Sequence, residues 1–495
     1  MSQIILNSAE NSALIQTLQQ SDSKVIPSIY STKEVFAPSA TTWFNQTPTA
    51  GQAPAAGSSV TYDLNKYGIA EQMLFTFGFQ ATFVTPGTAA AGDRLVAPAG
   101  YIYELIDRID FLSSSRVIST IYAEDLRAQH TNMSMEALGP VVETAIGPQF
   151  GTQAAAVGDT STLDAEYCVP IVFGFMKDIN TQPNLSFMEA CQVRVTFKRP
   201  SYLFLGTSGG RIKNAAGSGQ ANVLPVTPAT QVFSAGAGFT GSLPLLQVRY
   251  KQYGEADTAQ LLAENYNAEQ LNMLTSRCFR ENPKSFTLSA TALGNGVQQR
   301  VSIDLRNVDV VKAYYVFVTR DVTGQVNTEV FNTTEGQRSP QMCFEISSIK
   351  LTASGQEICT INRTQNLYSR LTENGHSFNA VAPGVALTGT DGASISALNL
   401  QNVYKIQTGL WENDGGGAWS NGWSMREMTN MQIEVTMPTA VGAGATGVES
   451  YPLRGRMQTQ AAGSETKYTL HVVEDCSTIL STASNTGRTV NSLTN

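Results

Sequence analysis

Apolar and polar residues alternate along much of the chain, in short runs separated by small and polar turn residues. The segment MLFTFGFQATFV (73–84) places four phenylalanines on one face of a strand. Similar strand-like runs are SVTYDL (59–64), KAYYVFVT (312–319) and KYTLHVV (467–473). Many short strands with Gly-rich turns between them predict an all-β protein built from sandwiches or barrels.

One segment has helical rather than strand periodicity. Residues 255–277, EADTAQLLAENYNAEQLNMLTSR, place Leu261, Leu262, Leu271 and Leu274 at helix-like spacings. We therefore predict a short helix in this segment.

A stretch without a hydrophobic period lies near the middle of the chain. Residues 206–240 are rich in Gly, Ala, Ser and Thr. We interpret this stretch as a connector between two domains. The alternative is a long loop within one domain, although structureless loops of that length are uncommon.

Two strand-like phrases recur at the same spacing. IDRIDFLSSSRVISTI (106–121) and ISSIKLTASGQEICTI (346–361) start 240 positions apart and share six of sixteen residues. MEACQVRVTF (188–197) and MTNMQIEVTM (428–437) repeat at the same offset and share four residues. Two matches at one offset, in one order, predict a duplicated β-sandwich whose repeated segments are buried strands. The loops between them diverge because they carry fewer packing constraints.

The composition narrows the possible functions. Charged residues make up 15% of the chain, which is below the usual 25% or so, and this favours a protein whose outer faces pack on neighbours. The formal net charge is −8 and no extended basic patch is present, so we expect no direct nucleic-acid binding. No apolar run is long enough to span a membrane, and the N-terminus does not resemble a secretion signal.

The six cysteines are scattered and form no CxxC pair. We interpret all of them as reduced, which predicts synthesis in a reducing compartment inside a cell.

Candidate chemistry is sparse. The three histidines, His130, His376 and His471, are distant in sequence and fit no metal-binding motif. We expect His130 and His376 to lie in polar loops. The adjacent carboxylate pairs Glu124-Asp125 and Glu474-Asp475 would point to opposite faces of a strand, and we interpret them as solvated turns and edges. We therefore predict no catalytic, cofactor-binding or metal site.

Trp411, Trp419 and Trp423 cluster in a Gly-rich segment. We favour rings that pin this loop onto a sandwich, with an exposed recognition loop as the alternative, because exposed apolar clusters favour aggregation.

The segment CVPIVFGFMKDINTQPNLSFMEACQVRVTF (168–197) resembles a signature region of double jelly-roll major capsid proteins, the adenovirus hexon-like lineage of tailless icosahedral double-stranded DNA viruses. It is most similar to the virophage, polinton-like virus and tailless phage forms. Residues 244–255 resemble the opening strand of the second jelly roll, and residues 25–36 would open the first. The resemblance implies an all-β fold of two tandem eight-stranded jelly-roll sandwiches, with a short helix and Gly-rich loops.

The resulting domain prediction is an N-terminal arm (1–24), a first jelly roll (25–205), a connector (206–240), a second jelly roll (241–480) and a C-terminal tail (481–495). Both ends are too polar to order alone, and we expect them to act as clasps that order on assembly.

The function that the resemblance implies is that of a non-enzymatic major capsid protein, located in the virion. Its partners would be itself, as a homotrimer that resembles a hexagon, then neighbouring capsomers and minor capsid and penton proteins. An internal membrane beneath the shell is left open. The alternative is a trimeric β-sandwich adhesin or receptor-binding protein, and a weaker one is a carbohydrate-active enzyme.

Overall fold

A computed structural model gives the fold of the chain. It describes residues 39–49, 57–84, 94–97, 100–132, 145–146, 149–153, 160–176, 182, 184–186, 188–198, 206–207, 230–232, 245–253, 270–288, 298–307, 309–320, 343–374, 385–386, 394–395, 402–408, 422–425, 428, 430–438, 466–483 and 489–491.

The first half of the chain forms a sandwich of antiparallel sheets. One sheet has the strand order β1-β12-β3-β8 and the facing sheet has the order β2-β9-β5-β6, while β11 also pairs with β3 and β10-β4-β7 form a small separate sheet. The strands are β1 (Ser39–Gln46), β2 (Ser59–Asp63), β3 (Ile69–Val84), β4 (Arg94–Ala97), β5 (Ile106–Ser113), β6 (Arg116–Tyr122), β7 (Gln149–Gln153), β8 (Thr160–Ile171), β9 (Cys191–Phe197), β10 (Gly206–Thr207), β11 (Thr230–Val232) and β12 (Leu245–Tyr253).

The second half repeats this architecture. Its sheets have the orders β13-β24-β16-β21 and β15-β23-β17-β18; β14 and β25 also pair with β24, β22 pairs with β16, and β19 pairs with β20. The strands are β13 (Gln270–Arg280), β14 (Lys284–Leu288), β15 (Arg300–Asp304), β16 (Val310–Arg320), β17 (Ser348–Ala353), β18 (Gln356–Asn362), β19 (Val385–Ala386), β20 (Ser394–Ile395), β21 (Tyr404–Gln407), β22 (Trp423–Ser424), β23 (Met431–Thr436), β24 (Thr466–Ala483) and β25 (Thr489–Asn491).

Each sandwich buries its own apolar core, because successive side chains of a strand point to opposite faces. In the first core, Phe75, Phe77 and Phe79 of β3 are buried, as the alternation predicted. The second core is built in the same way from Val316 and Val318 of β16 and their neighbours.

The duplication predicted from the sequence is confirmed by strand register. Ile109 pairs with Ile121 and Val195, and Ile349 pairs with Ile361 and Val435, at the same offset in every case. The register shifts at the equivalent point in both hairpins.

The turns of these hairpins are also equivalent. Ser114 and Ser115 have φ of 51° and 65°, and Ser354 and Gly355 have φ of 49° and 80°. Positive φ at both central residues is the requirement of a type I′ hairpin turn, so the repeated phrase encodes the same turn twice.

A helix follows the hairpin in each sandwich. The helices are α1 (Ile102–Leu105), α2 (Ala123–Asn132) and α3 (Arg363–Asn374), and a 3-10 turn covers Gly174–Met176. Helix α3 begins with a capping box, in which Asn362 and Gln365 each accept a hydrogen bond from the other's backbone N–H at 2.9 Å. At the equivalent start of α2, Asp125 accepts a hydrogen bond from the backbone N–H of Tyr122 at 2.8 Å. In the described part of the chain, no helix is long and apolar enough to cross a membrane.

The predicted boundary between the sandwiches is wrong. Strand β12 pairs with β1 and β3, and its Leu246, Val248 and Tyr250 are buried in the first core. Residues 244–255 therefore close the first sandwich rather than open the second, and β9 does not end it. The predicted connector instead joins β9 to β12, so it is a long loop within one domain, the alternative left open above. Its described parts, β10 and β11, pair with β4 and β3.

The predicted helix at 255–277 is wrong over residues 270–277, which belong to β13. These residues pair with the long strand β24, and sheet formation prevails over a helical spacing that rests on few leucines. The rest of that segment lies outside the described residues, as do the predicted arm 1–24 and the opening strand 25–36. Part of the predicted C-terminal tail (481–495) belongs to the second sandwich, because β25 pairs with residues 480–482 of β24.

A core substitution tests the assignment of β12. Leu246→Ala should lower the free energy of unfolding by about 2–5 kcal/mol, because it leaves a cavity in the first core. Gln247→Ala, on the half-exposed outer face of the same strand, should cost far less. Hydrogen exchange followed by mass spectrometry should show the loss of protection in β1, β3 and β8. Loss of protection confined to the second sandwich would contradict the assignment.

Candidate functional site

The two sandwiches meet where helix α2 of the first lies on the outer face of the second sandwich's β13-β24-β16-β21 sheet. In β24, Leu470, Val472 and Cys476 point into the second core, so residues at odd positions point towards the first sandwich. We call this region the inter-sandwich contact; its principal residues are Tyr103, Glu124, Arg127, Ala128 and His130 from the first sandwich and Arg280, Tyr315, Phe317, Cys343 and His471 from the second.

Helix α2 is attached to its own sandwich on one side. Leu126 is fully buried in the first core, and the Gln129 side chain donates a hydrogen bond to the carbonyl of Val172 at 2.9 Å. Ala128 points away from Leu126 on the helix and packs in a cluster with Tyr315 and Phe317 of the second sandwich. The helix therefore presents a different face to each sandwich.

Arg127 is the central cation of the contact and only 2% of its surface is exposed. Its guanidinium carbon lies 4.8 Å from the ring centroid of Tyr103 and 5.1 Å from that of Phe317, so one ring from each sandwich faces it. Its Nη1 donates to the Sγ atom of Cys343 at 3.6 Å. Cation–π contacts contribute about 2 kcal/mol when desolvated, which offsets part of the cost of burying this charge.

His130 is held neutral beneath Arg127. Its Nδ1 lies 2.7 Å from the hydroxyl oxygen of Tyr103, within hydrogen-bonding distance. Burial, and then the positive charge of Arg127, lowers the pKa of His130 to about 4. A second cation at this point would repel Arg127, so neutrality of His130 is a condition of the packing.

An ion pair crosses the contact at its edge. Arg280 Nη1 lies 2.9 Å from Glu124 Oε2, and the Arg280 guanidinium carbon lies 4.3 Å from the centroid of the Tyr122 ring. Burial favours the neutral form of Glu124, but His471, Arg280 and Lys198 outweigh it and lower the pKa of that carboxyl to about 2. Glu124 therefore carries a negative charge at neutral pH.

His471 is the counterpart on the second sandwich. Its ring stacks on Phe317 with the centroids 5.0 Å apart, and its Nε2 lies 2.9 Å from the Thr319 hydroxyl oxygen. Burial lowers the pKa of His471 to about 4; Arg127, Arg280 and Lys198 also lower it, against the opposing effect of Glu124.

A second buried polar cluster lies inside the second sandwich. Glu474 is fully buried, and Asn307 Nδ2 donates to its Oε2 at 2.6 Å. Burial, and then the carboxylates of Glu281 and Asp309, raise the pKa of Glu474 to about 8 against the lowering effect of the Asn307 hydrogen bond. Arg277 forms an ion pair with Asp309 beside it. Val248 is the equivalent residue in the first sandwich, because it pairs with Met73 of β3 as Glu474 pairs with Tyr314 of β16. The first sandwich thus has an apolar side chain where the second has a buried carboxyl group.

The predicted locations of the polar residues need correction. His130 lies in helix α2 and is buried, so it is not in a polar loop. Glu124 and Asp125 form the first turn of the same helix rather than part of a strand. Glu474 and Asp475 do point to opposite faces of a strand, but both are buried and neither is at a solvated edge. His376 lies outside the described residues.

The position of Trp423 supports the prediction that rings of the tryptophan cluster pin their loop onto a sandwich. This residue lies half-buried in β22, pairs with Val311 and packs on the second core. Trp411 and Trp419 lie outside the described residues.

No group of three or more His, Cys, Asp or Glu side chains within the described ranges is arranged to hold a metal ion. All six cysteines, each of which is described, are present as thiols. The predicted lack of a catalytic, cofactor or metal site stays a prediction.

Sequence reasoning missed the inter-sandwich contact. Arg127 and Arg280 stand in segments without a recognisable motif. The offset of 240 residues was the one sequence signal for this contact. It aligns Ala128 of α2, which is buried, with Tyr368 of α3, so the two equivalent helices differ at the position that faces the other sandwich.

No protein-family model matches the chain, and no curated protein sequence does either. Solved structures do match it. The VP54 protein of PBCV-1, fitted into a cryo-EM reconstruction of the virophage Sputnik, has a TM-score of 0.55 at 12% identity, with 93% of this chain and 98% of that chain covered. The quasi-atomic model of the PBCV-1 virus capsid matches over the same shares of the two chains, at 13% identity and a TM-score of 0.55.

The cryo-EM structure of the Sputnik virophage matches with a TM-score of 0.54 at 8% identity, and 92% of this chain and 88% of that chain are covered. These matches span both sandwiches, and the strand orders of both are those of jelly rolls.

The chain has the double jelly-roll fold. The resemblance inferred from residues 168–197 is thereby confirmed at the level of fold, and the all-β prediction of two tandem eight-stranded jelly rolls is confirmed with it. In this double jelly roll, the inter-sandwich contact fixes how one jelly roll sits on the other.

The pH dependence of stability tests the state of His471. Below pH 6.5 the unfolded chain binds a proton on this histidine, whereas the folded double jelly roll resists protonation until about pH 4. The wild-type protein should therefore lose about 1–3 kcal/mol from this group as the pH falls through that window. His471→Gln should remove this loss, so calorimetric melting curves of the two proteins should converge towards pH 4. Parallel curves would contradict the assignment.

The contribution of Glu474 to stability should depend on pH in the opposite direction. The unfolded chain releases this proton above about pH 4.5, whereas the folded protein retains it until about pH 8. The wild type should therefore lose stability as the pH rises through that window. Glu474→Gln, which stays neutral, should become more stable than the wild type by at least about 1 kcal/mol at pH 8, as measured by urea unfolding at pH 5 and pH 8. An unchanged difference between these two pH values would show that Glu474 is ionised in the folded protein.

Proposed function

We propose that this double jelly-roll chain is the major capsid protein of a tailless icosahedral double-stranded DNA virus. Three copies form a capsomer that contains six jelly rolls and so resembles a hexagon, and the capsomers tile the virion shell. The observation that carries this proposal is the inter-sandwich contact, because a hexagonal outline requires the two jelly rolls of each chain to be held in one orientation.

The chemistry of the contact supports a rigid block. Arg127 lies between aromatic rings from both sandwiches, and the ion pair between Arg280 and Glu124 closes its edge. Separation of the sandwiches would expose the apolar cluster of Ala128, Tyr315 and Phe317 to water, which makes free hinging unfavourable. The structures that share the fold come from virus capsids and a virophage, which supports the same role.

The role is structural rather than enzymatic. The buried carboxyl groups and histidines described above are engaged in packing, and their locations suit stability rather than catalysis. The adhesin alternative has no specific observation in its favour. The partners we propose are further copies of this chain, then minor capsid and penton proteins. The site of synthesis is a reducing compartment of the host cell.

Mass measurement and electron microscopy of purified full-length protein test the proposal. Light scattering after gel filtration should give three times the mass of the chain, because six jelly rolls are needed for a ring of hexagonal outline. Class averages from negative-stain images should show six lobes around a three-fold axis, and concentrated material should form shells.

A charge-exchange pair provides the matched control. Glu124→Arg should impair assembly because it places a second guanidinium beside that of Arg280, and the double variant with Arg280→Glu should recover part of it. A wild-type protein that remains monomeric at high concentration, or that forms fibres without six-lobed particles, would contradict the proposal.

A further inference from the structure

Helix α3 occupies the place in the second sandwich that α2 occupies in the first. Residue 366 corresponds to the buried Leu126, and Asn366 is likewise fully buried and donates to the carbonyl of Val403 at 3.3 Å. Asn366 Oδ1 also accepts from the backbone N–H of Lys405 at 3.1 Å. Both helices are thus attached to their own sandwich through the same position.

The opposite faces of the two helices differ sharply in exposure. Ala128 of α2 is 2% exposed because the second sandwich covers it, whereas the equivalent Tyr368 of α3 is 65% exposed. Tyr368 is one of only four large apolar or aromatic residues found exposed in the described ranges, together with Trp43, Tyr67 and Val117.

Trp43 lies on the outer face of the first sandwich, which is equivalent to the face of the second sandwich that α2 covers. Phe44 packs on the first core as Phe279 packs on the second, and these residues pair with Val248 and Glu474 at equivalent points of β12 and β24. Trp43 is therefore equivalent to Cys278, which packs in the inter-sandwich cluster. Trp43 is 42% exposed on the outer face of the first sandwich.

The rest of that face follows the same correspondence. Leu74 and Thr76 are partly exposed, and by strand register they are equivalent to Tyr315 and Phe317, which α2 covers. The sizes are exchanged between the two surfaces. Small Ala128 packs on large aromatic residues, whereas large Tyr368 has Leu74 and Thr76 as its equivalent counterparts. For these three pairs of residues the exchange roughly preserves the side-chain volume, and Trp43 in place of Cys278 adds aromatic surface to this face.

We propose that helix α3 of one copy docks on the outer face of the β1-β12-β3-β8 sheet of a second copy, with Tyr368 against Trp43, Leu74 and Thr76. This intermolecular contact repeats, between chains, the arrangement that α2 makes within a chain. It uses two different surfaces, so each copy offers one of each and the copies join head to tail, which closes into a ring in the proposed trimer. The inference rests on the proposed trimer and names the surface that forms it.

Photo-crosslinking in the assembled full-length protein tests the contact directly. Benzoylphenylalanine is incorporated at position 368, and isotopically light and heavy chains are mixed before assembly. Mass spectrometry should find crosslinks from position 368 to peptides that contain residues 39–46 or 69–84, and these crosslinks should join light to heavy chains.

Charge substitutions provide the energetic test. Tyr368→Glu and Trp43→Glu, made separately, should each weaken association by about tenfold or more, because buried aromatic residues dominate interface energies. Both variants should still fold, as circular dichroism checks, since much of each side chain is exposed in one copy. Val117→Glu is the matched control and should assemble normally, because Glu357 already occupies the equivalent position in the second sandwich.

The outcomes separate this inference from the proposed function. Trimers whose crosslinks map elsewhere, or join position 368 to its own chain, would overturn the docking surface and leave the capsid role standing. Trimers unaffected by Tyr368→Glu would do the same. A wild-type protein that never forms trimers would overturn both.

Discussion

The architecture depends on one buried cation. Arg127 lies between Tyr103 of the first sandwich and Phe317 of the second, and neither sandwich alone supplies both rings. Burial of the guanidinium costs solvation free energy that these rings offset in part, and the apolar cluster that Ala128 forms with Tyr315 and Phe317 stabilises the arrangement that surrounds it. Burial lowers the pKa of both His130 and His471, and the positive charge of Arg127 lowers each pKa further, so both histidines are neutral at neutral pH. Two domains with separate cores thereby act as one block.

Duplication explains why the proposed contact between chains resembles the contact within a chain. The two sandwiches keep the same registers, turns and helix starts, while their outer faces have diverged. Charges are even reversed at equivalent cross-strand positions: Asp110 pairs with Arg194 in the first sandwich, and Lys350 faces Glu434 in the second. Divergence is expected on the helices, since α2 packs on the other sandwich of its own chain and we propose that α3 packs on a second copy. The contact within a chain and the proposed contact between chains thus have the same geometry: a helix that follows a hairpin packs on the outer face of another sandwich's sheet.

Strands and their duplication were readable from the sequence because alternation and a fixed offset are local signals. Phe75, Phe77 and Phe79 are buried as their spacing indicated, and β9 spans residues 191–197 as expected. The place of β12 was not readable, because its partners β1 and β3 lie more than 150 positions earlier and a long loop precedes it. The helix predicted at 255–277 is wrong over residues 270–277 for a similar reason, because pairing with β24 decides the conformation of Leu271 and Leu274. The inter-sandwich contact could be recognised only from the structure, because Arg127 and Phe317 are distant in sequence and belong to no common motif.

The most direct measurement is a cryo-EM map of the purified oligomer at side-chain resolution. We expect six jelly rolls in a ring, in which contacts through α2 within chains alternate with contacts through α3 between chains, and Tyr368 is buried against the face that carries Trp43. A map in which α3 faces solvent, or in which the two jelly rolls of one chain adopt several relative orientations, would contradict it.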